Sequence, residues 1–265
     1  MRLKDKVAIV TGGGQGIGKA IALAFAADGA SVVVAARNLA NLEKTVAEIA
    51  SKGGNAKAIQ TDITIESQIE RMVAGAVKEF GKVDILVNNS GIGGVTCPVV
   101  DLKLEDWMEV LQIDLTGSML CTKHVLKHMI PRKSGAIINI AAEGGRAGDG
   151  RSGYPMRTPY CCSKMGIIGL TESVSVEVGK YGIRVNAISP AAVKGERIIS
   201  VIKGRAQAMG VTFEELMSKI AENSSLGRIT EEADVAAMAV FLASDEARSV
   251  TGQTIPIHCG LHIIF

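Results

Sequence analysis

The stretch Val7-Ala8-Ile9-Val10-Thr11-Gly12-Gly13-Gly14-Gln15-Gly16-Ile17-Gly18 decides the fold. A short apolar run ends in a glycine cluster. Ile17, Ile21 and Phe25 then recur at helical spacing, and Gly29 is placed to end that helix. The order is strand, glycine turn, helix. Glycine lets the turn bend sharply and bring its backbone close to a ligand. The helix aims its N-terminal N–H groups and the positive end of its dipole at the same place, which suits a pyrophosphate. The spacing is T-G-x-x-x-G-x-G rather than the common G-x-G-x-x-G. A glycine-rich turn alone is a weak signal; its place between a first strand and a first helix makes it a strong one.

The alternation continues outward from that unit. Val32 to Ala35 reads as a second strand, and Leu39 to Ala50 as a helix with Asn38 as its N-cap. Ala56 to Gln60 is strand-like and stops at Thr61-Asp62; Ile69 to Phe80 is helical and stops at Gly81; Val83 to Val87 is a fourth strand. A long helical stretch over Leu104–Met129 leads to the strand Ala136–Ile140. A helix over Pro159–Val178 precedes the strand Arg184–Ile188. Glu232–Leu242 is helical, and Gln253–Ile257 is a last strand. Short strands that are apolar throughout are buried on both faces. The expected fold is therefore α/β: a Rossmann-type, doubly wound parallel sheet of about seven strands with helices on both faces. Residues 1–265 read as one domain. Glu143 to Thr158, rich in glycine and arginine, and a lid segment over about 191–228 interrupt the rhythm. Both sit where ligand-binding loops belong.

Composition excludes several other classes. The chain has 265 residues, 47% hydrophobic and 21% charged, with a net charge of +2 and no basic block, so nucleic acid is not an expected partner. An aromatic content of 3% also argues against a base-stacking surface. No apolar run approaches a membrane span, and the first residues carry no signal-peptide core, which points to the cytoplasm. Cys97, Cys121, Cys161, Cys162 and Cys259 form no C-x-x-C pair and read as reduced thiols.

Several separate motifs now resemble one family. Gly12 to Gly18 with Thr11, Asp62, Asn88-Asn89-Ser90-Gly91, Tyr160 with Lys164, and Asn186-Ala187-Ile188-Ser189-Pro190 follow the order of the short-chain dehydrogenase/reductases. The resemblance covers nearly the whole chain. It implies a nicotinamide dinucleotide held by Gly12, Gly14, Gln15, Gly16, Ile17 and Gly18 at the pyrophosphate. Asp62 and Ile63 would lie at the adenine. Asn89, Ser90 and Gly91 would follow the fourth strand, with Pro190 and Val193 near the nicotinamide and Tyr160 and Lys164 at the reacting end. It implies a secondary alcohol and its ketone as substrate, and a homo-oligomer, either dimer or tetramer.

The end of the second strand reads Ala35-Ala36-Arg37-Asn38. A carboxylate there usually holds the ribose hydroxyls of NAD. Here there is none, and Arg37 can pair with a 2′-phosphate. NADP is the expected cofactor, with NAD the alternative; Gln15, where NADP users of the family often carry a second basic residue, argues the other way.

Tyr160 and Lys164 are four residues apart and share a helix face. A free tyrosine has a pKa of about 10, and a neighbouring ammonium favours the phenolate, which tunes the group for proton transfer. The family completes this site with a serine and an asparagine. The serine position here is Ala142, and the asparagine position is Asp114. Losing one donor to a developing oxyanion costs about 10²–10³ in rate. Asp114 can still hold a proton-relaying water and stabilise the Lys164 ammonium. Three explanations stand open for Ala142. Glu143, Ser152 or Thr158 supplies the donor; the substrate polarises its own carbonyl; or the chain is a catalytically impaired partner subunit. An epimerase or lyase on the same fold is a further alternative.

Arg146, Arg151 and Arg157 crowd the loop before Tyr160, and Lys194, Arg197, Lys203 and Arg205 lie on the lid. They suit an anionic substrate or an acyl thioester, with Glu143 and Arg157 as candidate substrate contacts. The usual glycine after Pro190 is Ala191, and the hydroxyl residue expected near Lys194 or Gly195 is missing. His124 and His128 have metal-like spacing but read as a surface helix face, so no metal is expected. Trp107 reads as packing. The apolar tail Leu261–Phe265 suits a subunit interface.

Overall fold

A computed structural model describes residues 1–142, 154–195, 198–199, 202–203, 206–207 and 210–260. Its main sheet has seven strands, all parallel: β1 (Val7–Thr11), β2 (Ser31–Ala36), β3 (Asn55–Gln60), β4 (Ile85–Asn88), β5 (Gly135–Ile140), β6 (Ile183–Pro190) and β9 (Thr254–Ile257). The order across the sheet is β3-β2-β1-β4-β5-β6-β9. The chain moves outward from β1 to β3, then returns to place β4 on the other side of β1. In open sheets of this order, ligands bind beyond the carboxyl ends of the strands at that reversal.

Helices cover both faces. On one side lie α1 (Gly16–Ala27), α2 (Leu39–Ser51) and α8 (Glu232–Ala243), which bury Ile21, Phe25, Leu42, Ile49, Val235 and Val240 against Ala8, Val10, Val32 and Val34. On the other lie α3 (Glu66–Phe80) and α5 (Gly117–Arg132), where Ile69, Met72, Val125 and Met129 pack on Ile9, Val33, Leu86 and Ile137. Alternate residues of one strand thus feed two cores. Each such side chain contributes about 1.5–3 kcal/mol on burial. The helix α6 (Thr158–Val178) packs Ile167 and Ile168 on Ala141 and Ala187 at the end of the sheet that carries the site.

Local signals act as expected at several ends. Asn38 accepts from the Asn41 amide at 3.2 Å, and Gly81 ends α3 in the left-handed conformation. Other expectations need correction. β3 is not buried on both faces: it is a sheet edge, and Asn55, Lys57 and Gln60 are exposed. The fourth strand starts at Ile85, not Val83, because Asp84 turns inward, accepts from the Val7 amide at 2.9 Å and pairs with Arg132. The stretch Leu104–Met129 is not one α-helix. It is α4 (Leu104–Leu111), a π-helical turn over Gln112–Thr116, and α5, which runs on to Arg132. The segment over about 191–228 carries β7 (Val193–Lys194) and α7 (Phe213–Glu222), and β7 pairs with β8 (Thr230–Glu231).

His124 is also corrected. It is buried rather than on a surface face, and its Nε2 lies 2.8 Å from Glu66 of α3. Together with Lys123, that contact holds the Glu66 carboxyl down at about 2. Among the described residues, no group of three potential ligands surrounds it or any other point. No described helix is long and apolar enough to cross a membrane.

Candidate active site

The turn after β1 is stitched to the end of β4. Thr11 Oγ1 donates to the Val87 carbonyl at 3.2 Å and accepts from the amides of Asn89 and Ser90 at 3.0 and 3.1 Å. Asn89 Nδ2 returns a bond to the Thr11 carbonyl at 3.0 Å. Gly12 sits at φ +68°, and a Cβ there would lie 2.7 Å from Asn89 Nδ2. A Cβ on Gly18 would lie 2.3 Å from the Gly12 carbonyl oxygen, so only glycine lets α1 approach its own loop this closely. Gly14 faces Asn41 of α2, and Gly16 opens α1. Gln15 stands at the N-cap without making a side-chain cap, and the first turn holds no acidic residue. The start of α1 thus offers the positive end of its dipole with no acidic residue in its own first turn, in a glycine cradle that suits a dinucleotide pyrophosphate.

The next strand ends continue the groove. Arg37 follows β2 and is exposed; its carbonyl accepts from Gln60 at 2.8 Å, and Asn38 caps α2. Asp62 follows β3. Burial opposes its ionisation, but the Thr64 amide and hydroxyl, at 2.9 and 2.7 Å, and the nearby Arg37 charge outweigh that and hold it below the usual carboxylate range. Ile63 is buried against Gly117. Gly91 after β4 lies against the Asp114 carboxylate. Pro190 ends β6, and Val193 lies in β7.

The π turn carries Asp114, and α6 carries Tyr160 and Lys164 (π turns often mark functional sites). Asp114 Oδ1 accepts from the Ile92 amide at 2.8 Å. Its Oδ2 lies 3.6 Å from Lys164 Nζ and 3.3 Å from Ser163 Oγ. Lys164 Nζ also donates to the Ile140 carbonyl at 3.0 Å, which ties α6 to the end of β5. The ammonium lies 5.8 Å from the Tyr160 ring centroid. Ala142 follows β5, is buried, and has no hydrogen-bond donor on its side chain. Arg157 reaches the Gly93 carbonyl at 2.8 Å and stacks over Tyr160 at 5.2 Å. Thr158 opens α6.

The structure thus brings Asp114, Ala142, Arg157, Tyr160 and Lys164 to the carboxyl ends of β4 and β5, with the cofactor-type residues along the same edge of the sheet. Glu143, Arg146, Arg151 and Ser152, with Arg197, Arg205 and the tail Leu261–Phe265, lie outside the described residues. Lys194 is exposed, and Lys203 rests over Phe213. Sequence reasoning missed the Ile92 amide, Ser163 and the Gly93 carbonyl. It also missed a buried chain in which Asn88 donates to Asn139 at 2.9 Å and Asn139 to Thr171 at 2.9 Å. An asparagine inside each of two apolar strands was the available signal for that chain.

Comparison with known proteins agrees with this fold. The family described as enoyl-(acyl carrier protein) reductase matches residues 12–262. Galactitol 2-dehydrogenase of Agrobacterium fabrum is 38% identical, over 98% of this chain and 98% of that protein. Among solved structures, NAD⁺-bound xylitol dehydrogenase is similar with a TM-score of 0.90 and 32% identity, covering 98% of this chain and 100% of that one. A variant actinorhodin polyketide ketoreductase with NADPH is similar with a TM-score of 0.90 and 34% identity, covering 98% of each chain.

Proposed function

Since the chain belongs to the short-chain dehydrogenase/reductase family, we propose that it is an NADP-dependent oxidoreductase interconverting a secondary alcohol and a ketone. The observation that carries the reading is the placement of Tyr160, Lys164 and Asp114 at the carboxyl ends of β4 and β5, beside a glycine cradle fit for a dinucleotide. The cofactor, when bound, supplies or accepts the hydride. Gly12 to Gly18 hold its pyrophosphate at the start of α1, and Arg37 receives its 2′-phosphate. Tyr160 gives a proton to the carbonyl oxygen, or takes one from the alcohol, and Lys164 holds positive charge beside it. Asp114 keeps that ammonium in place and balances its burial. Ala142 contributes no donor, so Tyr160 carries the polarisation of the carbonyl together with the substrate itself.

One observation favours a second reading. The position after β5 is a buried alanine, which also fits a cofactor-binding subunit that partners an active relative. The relatives' own substrates differ, so substrate identity comes from experiment. The test follows NADPH consumption with a panel of ketones, including oxo acids and acyl thioesters, for the wild-type protein and Tyr160→Phe. Turnover lost in Tyr160→Phe supports the oxidoreductase. Tight NADPH binding without turnover on any ketone supports the partner subunit. Turnover that leaves the cofactor unchanged indicates an epimerase or lyase.

The proposal includes a cytoplasmic homo-oligomer. Leu104 and Met108 on α4, Met119 on α5 and Met165 and Val176 on α6 are exposed apolar side chains that assembly would cover. Sedimentation of the purified chain distinguishes monomer, dimer and tetramer.

A further inference from the structure

We propose that Arg157 receives an acidic group carried by the substrate, so that the ketone of this site is a short oxo acid with its carboxylate close to the carbonyl. The inference rests on the oxidoreductase reading above. Arg157 stands at the N-cap of α6, three residues before Tyr160. One guanidinium nitrogen, Nη2, is held on the Gly93 carbonyl at 2.8 Å. The guanidinium carbon lies 5.2 Å from the centroid of the Tyr160 ring. Its Nε is buried and meets no hydrogen-bond partner among the described residues.

Two other guanidiniums among the described residues are matched. Arg132 is paired with Asp84, and Arg184 donates to the carbonyls of Leu242 and Ser244 at 2.7 and 3.0 Å. Among the described residues no carboxylate pairs with Arg157. A buried N–H left unmet is costly, and more so on a charged group. Structural packing alone accounts for the Gly93 bond and leaves that donor unexplained. A carboxylate accounts for it, because its two oxygens match the planar fork of a guanidinium. The guanidinium is fixed by Gly93 on one side and by the Tyr160 ring on the other, so little freedom remains to be lost on binding. The ring it stacks on belongs to the residue that meets the carbonyl oxygen. An anion on Arg157 therefore sits close to the reacting carbon, which selects a short acid over a long-chain one.

The test compares a 3-oxo acid with its methyl ester, with NADPH, on wild type, Arg157→Gln and Arg157→Lys. The wild type is expected to prefer the acid in kcat/KM, and Arg157→Gln to lower the acid-to-ester ratio roughly ten- to a hundredfold, the size of a lost charged hydrogen bond. Arg157→Lys restores part of the ratio, and it carries the test if the glutamine variant does not fold. A wild-type ratio near one, or a variant that lowers both substrates in parallel, overturns the inference. If neither substrate turns over, the oxidoreductase reading is what fails. Calorimetry of NADPH-loaded protein with the hydroxy acid and its amide then decides the inference separately. Preference for the acid that vanishes in Arg157→Gln supports it, and equal binding overturns it.

Discussion

Lys164 Nζ lies 3.6 Å from Asp114 Oδ2 inside the protein, with side chains 7% and 0% exposed. Two charges removed from water hold each other only while both are present. Removing the aspartate strands a buried ammonium with one carbonyl for company. Asp114→Ala is expected to cost about 3–5 kcal/mol of stability. Asp114→Asn, which keeps an acceptor for the Ile92 amide, is expected to cost less. Urea unfolding of the three proteins checks the order; equal stability for all three would show that the pair carries no net stabilisation.

On the proposed reading, buried Ala142 takes the place of a hydroxyl donor to the reacting oxygen. Ala142→Ser is expected to raise kcat about a hundredfold, since one oxyanion donor is typically worth 10²–10³. Steady-state rates check it, with the thermal midpoint as a control for folding. An unchanged rate would mean that another group already supplies the bond.

Arg37 is exposed at the end of β2, with the Asp62 carboxylate within electrostatic reach. Arg37→Asp is expected to weaken NADPH binding by roughly ten- to a hundredfold, the loss of a charged hydrogen bond, and to leave NADH binding equal or tighter. Titration of both cofactors against the two proteins checks this. A parallel loss for both would remove Arg37 from phosphate recognition.

Asp84 gives a pH dependence. Burial opposes its ionisation, but the Val7 amide, Lys82 and Arg132 together hold its carboxyl below the usual 3.8. A depressed carboxyl stabilises the fold fully above its unfolded value, and that stability is lost as pH falls through the folded value. The stability gap between wild type and Asp84→Asn is expected to be flat from about pH 5 to 7 and to close below pH 3.8. Thermal midpoints across that range check it.

Much of this was legible because strand and helix periods differ and glycine marks the crossings. The parallel sheet follows from apolar runs such as Val32 to Ala35, and the cradle from Gly12 to Gly18. What stayed hidden depends on contacts distant in sequence. The break at Gln112–Thr116 carries no proline, and the contacts of Asp114 with Lys164, Ile92 and Ser163 give the π turn its purpose. His124 looked like a surface residue because its carboxylate partner Glu66 is on another helix. Arg157 was legible as a candidate, whereas its bond to Gly93 and its unmet Nε were not.

The proposed chemistry is hydride transfer from the nicotinamide to the carbonyl carbon, with Tyr160 as the proton donor. The measurement is product analysis after incubating the protein with NADPH carrying deuterium at the transferable position of the nicotinamide and the best ketone of the panel. Deuterium is expected on the carbinol carbon of the product alcohol, at a rate that falls at least a hundredfold in Tyr160→Phe, the order of a lost general acid. Bound cofactor and ketone with no transferred deuterium, or transfer at an unchanged rate in Tyr160→Phe, would contradict it.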